Sequence, residues 1–251
     1  MKNCIESLAC QTEGWIETII SDYGSDESHL KELVALSKDY GVTLIHVDTD
    51  HIWSISKAYN VGLRRSHGKY AATIDADIVF EPDVIRKTLE ILDRNSSAFV
   101  IRQPIFLGEG VKYSTMKLPD DYDVLDKEPE VYVAPSVGSF CATMREWWFK
   151  VRGFDERFNG YGSEDWEMWR RATHGGRRIV LIGKDVGFKF PKIAPEENCK
   201  LYHQWHPSTS IRMGLPESEL EAHRGRNREI YSGDKSLVRN GPDWGLMDNG
   251  N

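Results

Sequence analysis

Strand and helix signals alternate along the first hundred residues, and this alternation constrains the fold more than any other feature. Runs rich in β-forming residues cover 16–21, 42–47, 70–74 and 98–101. Segments with helical periodicity lie between them, at 26–40, at 54–66 and in the stretch after Pro82. Strands that are separated by helices pair in parallel, with the helices packed on the sheet faces. The sequence therefore predicts an α/β fold, with a mostly parallel, Rossmann-like sheet flanked by helices.

The remainder of the chain adds a long polar segment and then further α/β elements. Residues 103–130 lack periodicity and are numerous enough for a functional loop. Strands are predicted at 131–134, 139–144 and 178–182, and helices at 145–151, at 164–174 and from Pro216 to about residue 231. A chain of 251 residues suits one large domain. We therefore predict one domain over 1–215, followed by a C-terminal helix and a loose tail in 216–251.

Composition excludes several classes of protein. Lys and Arg number 32 against 39 Asp and Glu, which gives a net charge of −7 without a basic block, so binding to a nucleic-acid backbone is not expected. The four cysteines are scattered, as in intracellular proteins that keep their thiols reduced. The first residues lack the apolar core of a signal peptide, and no apolar run approaches the roughly 20 residues that cross a bilayer. The sequence predicts a cytoplasmic protein without a membrane span.

Two carboxylates follow the strand predicted at 70–74. Asp75 and Asp77 stand at positions i and i+2, at the carboxyl edge of a parallel sheet, where α/β folds bind ligands. In an extended segment the two side chains point the same way and can face one divalent cation. Such a cation neutralises a diphosphate and stabilises the charge that develops as the diphosphate leaves. The alternative is a pair of solvated turn carboxylates, since short motifs recur by chance.

A glycine-rich stretch precedes a second pair of acids. Residues 159–163 read N-G-Y-G-S, and Glu164 and Asp165 follow at the start of the helix predicted for 164–174. The helix dipole favours carboxylates at this end of a helix. One of the two acids can accept a proton from an acceptor hydroxyl. The alternative is that both acids only cap the helix.

Two histidines form a third candidate group. His203 and His206 are spaced i and i+3, so that their imidazoles can converge on one ion. Cys199 lies just upstream, and a structural zinc site is a competing interpretation, although a fourth ligand is not evident. Arg212 follows, and a guanidinium matches the oxygens of a diphosphate. The composition of residues 200–215 predicts a lid that closes on a bound ligand.

Together and in this order, the motifs resemble those of the GT-A glycosyltransferases, and most closely family-2-type enzymes with a galactosyltransferase-like C-terminal half. The opening residues resemble the S-L-x-x-Q segment of the family's first helix, and residues 19–25 resemble its V-D-D-G-S turn. Residues 58–62 resemble the A-R-N-x-G helix, with Tyr59 in place of the arginine. Residues 153–167 resemble the galactosyltransferase block G-F-D-E…G-x-G-x-E-D, and the later H-x-x-H pair has the spacing of a late metal ligand. The resemblance covers residues 1 to about 207.

The resemblance implies a GT-A domain with a nucleotide-binding half at about 1–102 and an acceptor-binding half at about 131–215. It implies transfer of a sugar from a UDP-sugar donor to a glycan or other hydroxyl acceptor, with Mn²⁺ or Mg²⁺ as cofactor. In this interpretation the donor-binding residues are Asp22, Asn60, Asp75 and Arg212, and the metal ligands are Asp77, His203 and His206. Asp165 is then the catalytic base of an inverting displacement, and Glu164 orients the acceptor.

The chain departs from the family at its beginning. Members carry an apolar strand and a P-x-Y-N turn ahead of the first helix, and neither stands there in this sequence. That strand lies in the middle of the sheet in the family and shapes the nucleoside pocket, so we expect Asp22 to work with a remodelled wall. Two alternatives remain open. One is a nucleotidyltransferase, which would need basic residues to grip a triphosphate, and the other is an inactive protein that binds a sugar nucleotide or a glycan.

Overall fold

The computed structural model describes residues 1–12, 15–111, 113–128, 130–131, 138–182, 199–208, 211 and 214–246. The helices are α1 (Lys2–Ala9), α2 (Glu27–Tyr40), α3 (Ile55–Arg65), α4 (Val84–Arg94), α5 (Tyr122–Lys127), α6 (Arg145–Val151), α7 (Glu164–His174) and α8 (Glu217–Gly233). The strands are β1 (Ile19–Tyr23), β2 (Thr43–Val47), β3 (Tyr70–Ile74), β4 (Ile78–Phe80), β5 (Ala98–Arg102), β6 (Ile105–Phe106), β7 (Phe140–Met144), β8 (Arg178–Ile182) and β9 (Leu201–His203). Among the described helices, none combines the length and the apolar character that a bilayer span requires.

Within the described residues, the strands form three hydrogen-bonded groups. β1 pairs with β2, a second sheet has the order β3-β7-β5-β8, and a third has the order β4-β9-β6. The pairs β1–β2, β5–β8 and β6–β9 are parallel, whereas β5–β7 and β4–β9 are antiparallel. The predicted α/β class is confirmed. The pairing is more mixed than the sequence predicted, because β7 is antiparallel to β5, and β9 is antiparallel to β4 although parallel to β6.

The chain divides into two compact units, each built from three segments. The first unit contains Met1–Ile16, Ala72–Thr143 and Arg177–His206, and the second contains Glu17–Ala71, Met144–Gly176 and Pro207–Asn251. The units therefore interleave along the chain. The consecutive halves predicted at 1–102 and 131–215 were defined by function, and that functional assignment stays a prediction.

The first unit is organised around two apolar strands. All three residues of β4 are fully buried, and β5 is buried along its length. The polar segment 103–130, which the sequence analysis took for a functional loop, supplies part of this core. Four of its apolar side chains pack with Val79 and Tyr202. These are Leu107, Val111, Met116 and Leu125. These apolar residues are scattered among polar ones without a period, which is why the sequence pattern did not reveal them.

The second unit shows the helix signals that the sequence predicted. Asp26 accepts hydrogen bonds from the backbone N–H groups of Ser28 and His29 and so caps α2. Gly41 ends that helix in the left-handed conformation, at a φ of 63°. Trp148 is fully buried, and its indole N–H donates to the carbonyl of Ala71 at 3.1 Å. Local capping and a buried aromatic face therefore account for these helices.

The C-terminal tail, expected to be loose, is packed over its described part. Trp244 is 4% exposed and lies edge-on against Phe149, with ring centroids 5.3 Å apart. The Asn240 amide donates to the carbonyls of Arg152 and Phe154. The expectation was wrong for residues 234–246, because one buried indole and one well-placed amide supply contacts that a Gly-, Asn- and Asp-rich composition does not disclose.

Candidate functional site

Asp77, His203 and His206 come together in the first unit. Nε2 of His203 lies 3.5 Å from Oδ1 of Asp77, and Nε2 of His206 lies 3.3 Å from Oδ2. Each residue offers one ligand atom, and these atoms all lie within 4.8 Å of one another. The structure thus groups the three residues that the sequence nominated as metal ligands.

Strand pairing explains how residues so distant in sequence meet. β4 and β9 are antiparallel, with Ile78 opposite His203. Asp77 directly precedes β4, and Gln204 directly follows β9. The backbone N–H of Gln204 continues the pairing by donating to the carbonyl of Asp77 at 3.0 Å. The register of this short pair therefore fixes Asp77 beside both histidines.

Gln204 is a contributor that the sequence analysis missed. Its side-chain amide also donates to the Asp77 carbonyl at 3.0 Å, and its side-chain oxygen accepts from Asn3 at 2.7 Å. Asn3 in turn donates to the carbonyl of Tyr113 at 2.9 Å. Both amide side chains are buried. A chain of hydrogen bonds from α1 therefore holds the main chain of the Asp77 turn.

The cluster fits a divalent cation. The two nitrogen–oxygen distances exceed the usual hydrogen-bond length of about 2.9 Å. They match the separation of about 3.0–3.5 Å between two ligands that each lie about 2.1 Å from one ion. Oδ1 of Asp77 is buried and has no hydrogen-bond partner in the part of the chain that the structure describes. A carboxylate oxygen is a ligand type that suits Mn²⁺ and Mg²⁺, and imidazole nitrogens suit divalent transition-metal ions.

Asp75 and Cys199 stand outside this group of ligands. The argument for Asp75 assumed an extended segment, but residues 75–78 form a turn in which the N–H of Ile78 donates to the Asp75 carbonyl at 3.3 Å. That assumption was wrong, and Asp75 is not one of the three grouped residues. Burial raises the pKa of the Cys199 thiol, and this residue too is absent from the described cluster. The structural zinc interpretation therefore has no support among the described residues.

Asp22 lies near the end of β1 in the second unit and is 7% exposed. Its Oδ1 accepts from the hydroxyl of Ser25 at 2.5 Å, and its Oδ2 lies 2.6 Å from Nδ1 of His46. His46 is opposite Asp22 in the register of β1 and β2. The sequence analysis missed His46, because only the strand register identifies it as a partner. The carboxylate is thereby held in one orientation at the carboxyl end of a parallel pair.

Asn60 has a structural role instead of the predicted donor contact. Its side chain is fully buried. Its amide donates to the carbonyl of Phe154 and to Oε1 of Glu156, both at 2.8 Å, and its oxygen accepts from the N–H of Phe154 at 2.7 Å. Both amide hydrogens and the oxygen thus serve the turn at 153–156. The motif residue joins α3 to that turn, so we correct its assignment.

Glu164 and Asp165 begin α7 after an unusual turn. Three residues in this turn have positive φ, namely Gly160 at 71°, Gly162 at 102° and Ser163 at 78°. For a non-glycine residue this conformation costs on the order of 1–2 kcal/mol, so surrounding contacts must hold it. Ser163 occupies the N-cap position without a side-chain cap, and both acids are partly exposed in the first turn. The helix dipole favours their negative charge there.

Two other acids nearby in the sequence are buried and form ion pairs. Glu167 is 1% exposed and accepts hydrogen bonds from Arg171 at 2.8 Å and Arg239 at 3.1 Å. Asp155 is also 1% exposed and pairs with Arg157 at 2.6 Å. The hydrogen bonds that Arg157 donates to Asp155 raise the pKa of Arg157, whereas burial lowers the pKa of Arg171. Glu167 and Asp155 therefore stabilise the second unit.

Arg212, predicted to meet the diphosphate, lies outside the described residues. The same holds for several neighbours in the predicted lid, at 209–210 and 213. The described part of that segment includes β9 and His206. The closing motion and the role of Arg212 stay predictions.

The chain thus combines an α/β fold with an Asp-His-His cluster at the start of the buried strand β4, and this cluster is a candidate metal site. Residues 1–165 match the sequence profile of glycosyl transferase family 2. The chain therefore belongs to glycosyl transferase family 2. A relative from Haemophilus influenzae, described as an uncharacterized glycosyltransferase, is 29% identical over 154 residues. The match covers 59% of this chain and 50% of the relative, so it spans half the relative's length.

Solved glycosyltransferases share the fold. TarS 1-349 from S. aureus, in complex with UDP-GlcNAc, has a TM-score of 0.56 and 15% identity, over 93% of this chain and 63% of that one. The mannosyltransferase PcManGT from Pyrobaculum calidifontis, in complex with GDP-Man and Mn²⁺, has a TM-score of 0.51 and 18% identity, over 74% and 51%. These likenesses confirm the predicted GT-A fold.

Proposed function

We propose that this protein is a metal-dependent glycosyltransferase that moves a sugar from a UDP-sugar to a hydroxyl group of a glycan or other acceptor, with inversion. The observation that carries the proposal is the Asp77–His203–His206 cluster in a chain of family 2. TarS was solved with UDP-GlcNAc, and PcManGT with GDP-Man and Mn²⁺. Both likenesses support a nucleotide-sugar donor, and the second supports a Mn²⁺ ion.

Asp77, His203 and His206 would hold Mn²⁺ or Mg²⁺. A divalent cation bound there supplies positive charge to the diphosphate that leaves from the donor. Gln204 keeps the Asp77 main chain in place by its two hydrogen bonds to the carbonyl. Asp75, on the same turn, would act through the donor ribose or a metal-bound water.

Asp22 would contact the nucleoside of the donor. Each of its two oxygens accepts one hydrogen bond within the protein. Oδ1 accepts from the Ser25 hydroxyl, and Oδ2 accepts from Nδ1 of His46. An ionised carboxylate has about four lone-pair positions, so it retains capacity for a ribose hydroxyl or a base N–H group. Because Ser25 and His46 fix its orientation, binding would not have to order this side chain.

Asp165 would accept the proton of the acceptor hydroxyl, and Glu164 would orient the acceptor. Both are partly exposed, in contrast to the buried Glu167 on the same helix. The helix dipole favours the ionised carboxylate, which is the form that takes up a proton. An attack from the face opposite the leaving diphosphate would then give inversion in one step.

The test is release of nucleoside diphosphate from a panel of UDP-sugars and GDP-mannose, with MnCl₂, with MgCl₂ and with EDTA. We expect release with one donor, first to water and faster with an added glycan acceptor, and loss of activity in EDTA. Stabilisation by a UDP-sugar without any turnover would instead identify a binding protein. Pyrophosphate release from UTP and a sugar phosphate would identify a nucleotidyltransferase.

A further inference from the structure

A single side chain from α8 holds the turn that precedes α7. Asn227 is 2% exposed. Its side-chain amide donates to three backbone carbonyls, those of Asn159 at 3.1 Å, Tyr161 at 3.3 Å and Gly162 at 3.0 Å. The two N–H groups of one amide are shared among these three acceptors. This turn, residues 159–163, leads directly into Glu164 and Asp165.

The turn also packs between two other segments of the second unit. The positive φ angles of Gly160, Gly162 and Ser163 take these residues out of regular helix and strand geometry. On one side, the N–H of Gly160 donates to the carbonyl of Trp53 at 2.8 Å. On the other side α8 closes against Gly160, where an added Cβ would lie 3.1 Å from the His223 side chain. The turn thus lies between the residues just before α3 and helix α8, and Asn227 holds it through hydrogen bonds.

We propose that Asn227 is a positioning residue for the transfer reaction. It acts through the turn, by fixing the backbone from which Glu164 and Asp165 project, and it does not itself contact a substrate. This inference rests on the proposed function. Like His203 and His206, Asn227 lies outside residues 1–165, the part of the chain that matches the family profile. A misplacement of about 1 Å in a catalytic group costs roughly a hundredfold in rate, so the effect of losing this anchor is measurable.

The chemistry of the contact provides a sharp variant. Asn227→Asp keeps the size of the side chain but replaces the N–H donors with a carboxylate oxygen, which three carbonyl oxygens repel. Asn227→Ser keeps one hydrogen-bond donor in a smaller side chain. It is the test variant to use if the Asn227→Asp protein does not fold. The matched control is Leu220→Ala, since Leu220 is 1% exposed on the same helix and its loss destabilises α8 without removing a hydrogen bond to the turn.

The experiment measures kcat and KM for diphosphate release from the UDP-sugar that reacts fastest with the wild-type chain, with MnCl₂ and with water as the acceptor. Melting temperature is recorded for each variant. We expect Asn227→Asp to lower kcat by about 10- to 100-fold with a donor KM within about threefold of wild type, because the donor and the ion are assigned to other residues. Asn227→Ser should lie in between, and Leu220→Ala should lose melting temperature but keep kcat.

Two results would overturn the positioning role. One is an Asn227→Asp variant that keeps the wild-type kcat, or a Ser variant that does so if the Asp variant does not fold. The other is a loss of kcat that follows melting temperature equally in Asn227→Asp and Leu220→Ala, which would reduce Asn227 to a stabilising residue. Failure of the proposed function is detected separately, by measuring diphosphate release with the wild-type chain. No release from any donor would overturn both.

Discussion

Two acids, one from each unit, meet different kinds of partner. In the first unit, Asp77 is 25% exposed and faces the imidazoles of His203 and His206. In the second unit, Glu167 is 1% exposed and lies between the guanidinium groups of Arg171 and Arg239. A guanidinium is always charged, whereas a neutral imidazole is a metal ligand. Glu167 is therefore already neutralised by the protein, and Asp77 is placed among groups that can share a cation with it.

Under the proposed function, this difference separates acids that act in chemistry from acids that stabilise the fold, even where both come from motif segments. Breaking a buried pair leaves an uncompensated charge and costs stability. Removing a metal ligand costs binding of the ion and leaves the strand pairing of β4 and β9 intact. Substitutions should therefore divide into two groups, one with lost activity and one with lost stability.

The largest effect is expected from Asp77→Ala. Without its charged ligand, the cluster keeps two imidazoles and should no longer hold Mn²⁺ at a concentration that saturates the wild type. We expect diphosphate release to fall to the background rate while melting temperature stays within about 2 °C. Isothermal titration with MnCl₂ and the release assay check this, with the exposed Asp120→Asn as a matched control. If the Asp77→Ala variant released diphosphate at the wild-type rate, with and without EDTA, Asp77 would not be a metal ligand.

Asp165→Asn should act on the chemical step alone. The amide keeps the size of the side chain but cannot take up a proton, so kcat should fall by roughly 10²–10⁴ with a nearly unchanged donor KM. Steady-state kinetics with the active donor measure both constants. Glu164→Gln is the comparison, and it should mainly raise the KM for a glycan acceptor. Normal turnover by Asp165→Asn would return this residue to stabilising the first turn of α7.

The elements could be predicted where the signals are local. β3, α7 and β8 fall at the predicted residues, because each is an apolar or periodic run bounded by glycine or acidic residues. β4 and β9 were missed, since three-residue strands leave almost no periodic signal. Their pairing nevertheless brings the predicted metal ligands together. The ligand residues could be nominated from their chemical types, but the register that joins them depends on contacts distant in sequence.

The supporting residues were harder to predict than the ligands. Gln204, His46 and Asn227 act through partners that are far away along the chain, and their own residue types do not predict these contacts. Asn60 shows the opposite error. It stands in a recognisable motif, yet full burial and three hydrogen bonds to the turn at 153–156 give it a structural role. A motif fixes which residue types recur, whereas exposure decides whether they can reach a ligand.

Glu167→Gln tests whether the acid buried between two arginines stabilises the fold. The substitution leaves Arg171 and Arg239 buried with one negative charge fewer, and removal of one partner from a buried pair costs about 3–5 kcal/mol. We expect that loss in the free energy of unfolding by urea, with kcat unchanged at temperatures where the variant is folded. The exposed Glu229→Gln is the control. A fall in kcat without a fall in stability would place Glu167 among the catalytic acids.

The smallest effect should come from Asp234→Asn, at the edge of the same unit. The backbone N–H of Ser236, followed by hydrogen bonds from Arg157 and Arg239, lowers the pKa of Asp234. A carboxyl whose pKa is lower in the folded state stabilises the fold above its unfolded pKa of about 3.9, and this contribution is lost as pH falls through the folded value. Because the side chain is 32% exposed, solvent screens the pair, and we expect Asp234→Asn to lower melting temperature by only about 1–3 °C at pH 7.

The difference between the wild type and Asp234→Asn should stay level as pH is lowered from 7 to about 4 and should narrow between about 4 and 2, because the unfolded wild-type carboxyl is protonated first and the contribution of the charge is lost as pH approaches the lower folded pKa. Thermal melts across this range measure it, with the exposed Asp243→Asn as a control in the same tail. A difference that stays constant with pH would mean that the hydrogen bonds of Asp234, and not its charge, stabilise the tail. The division between charge-neutralised and ion-binding acids would then not extend to this partly exposed position.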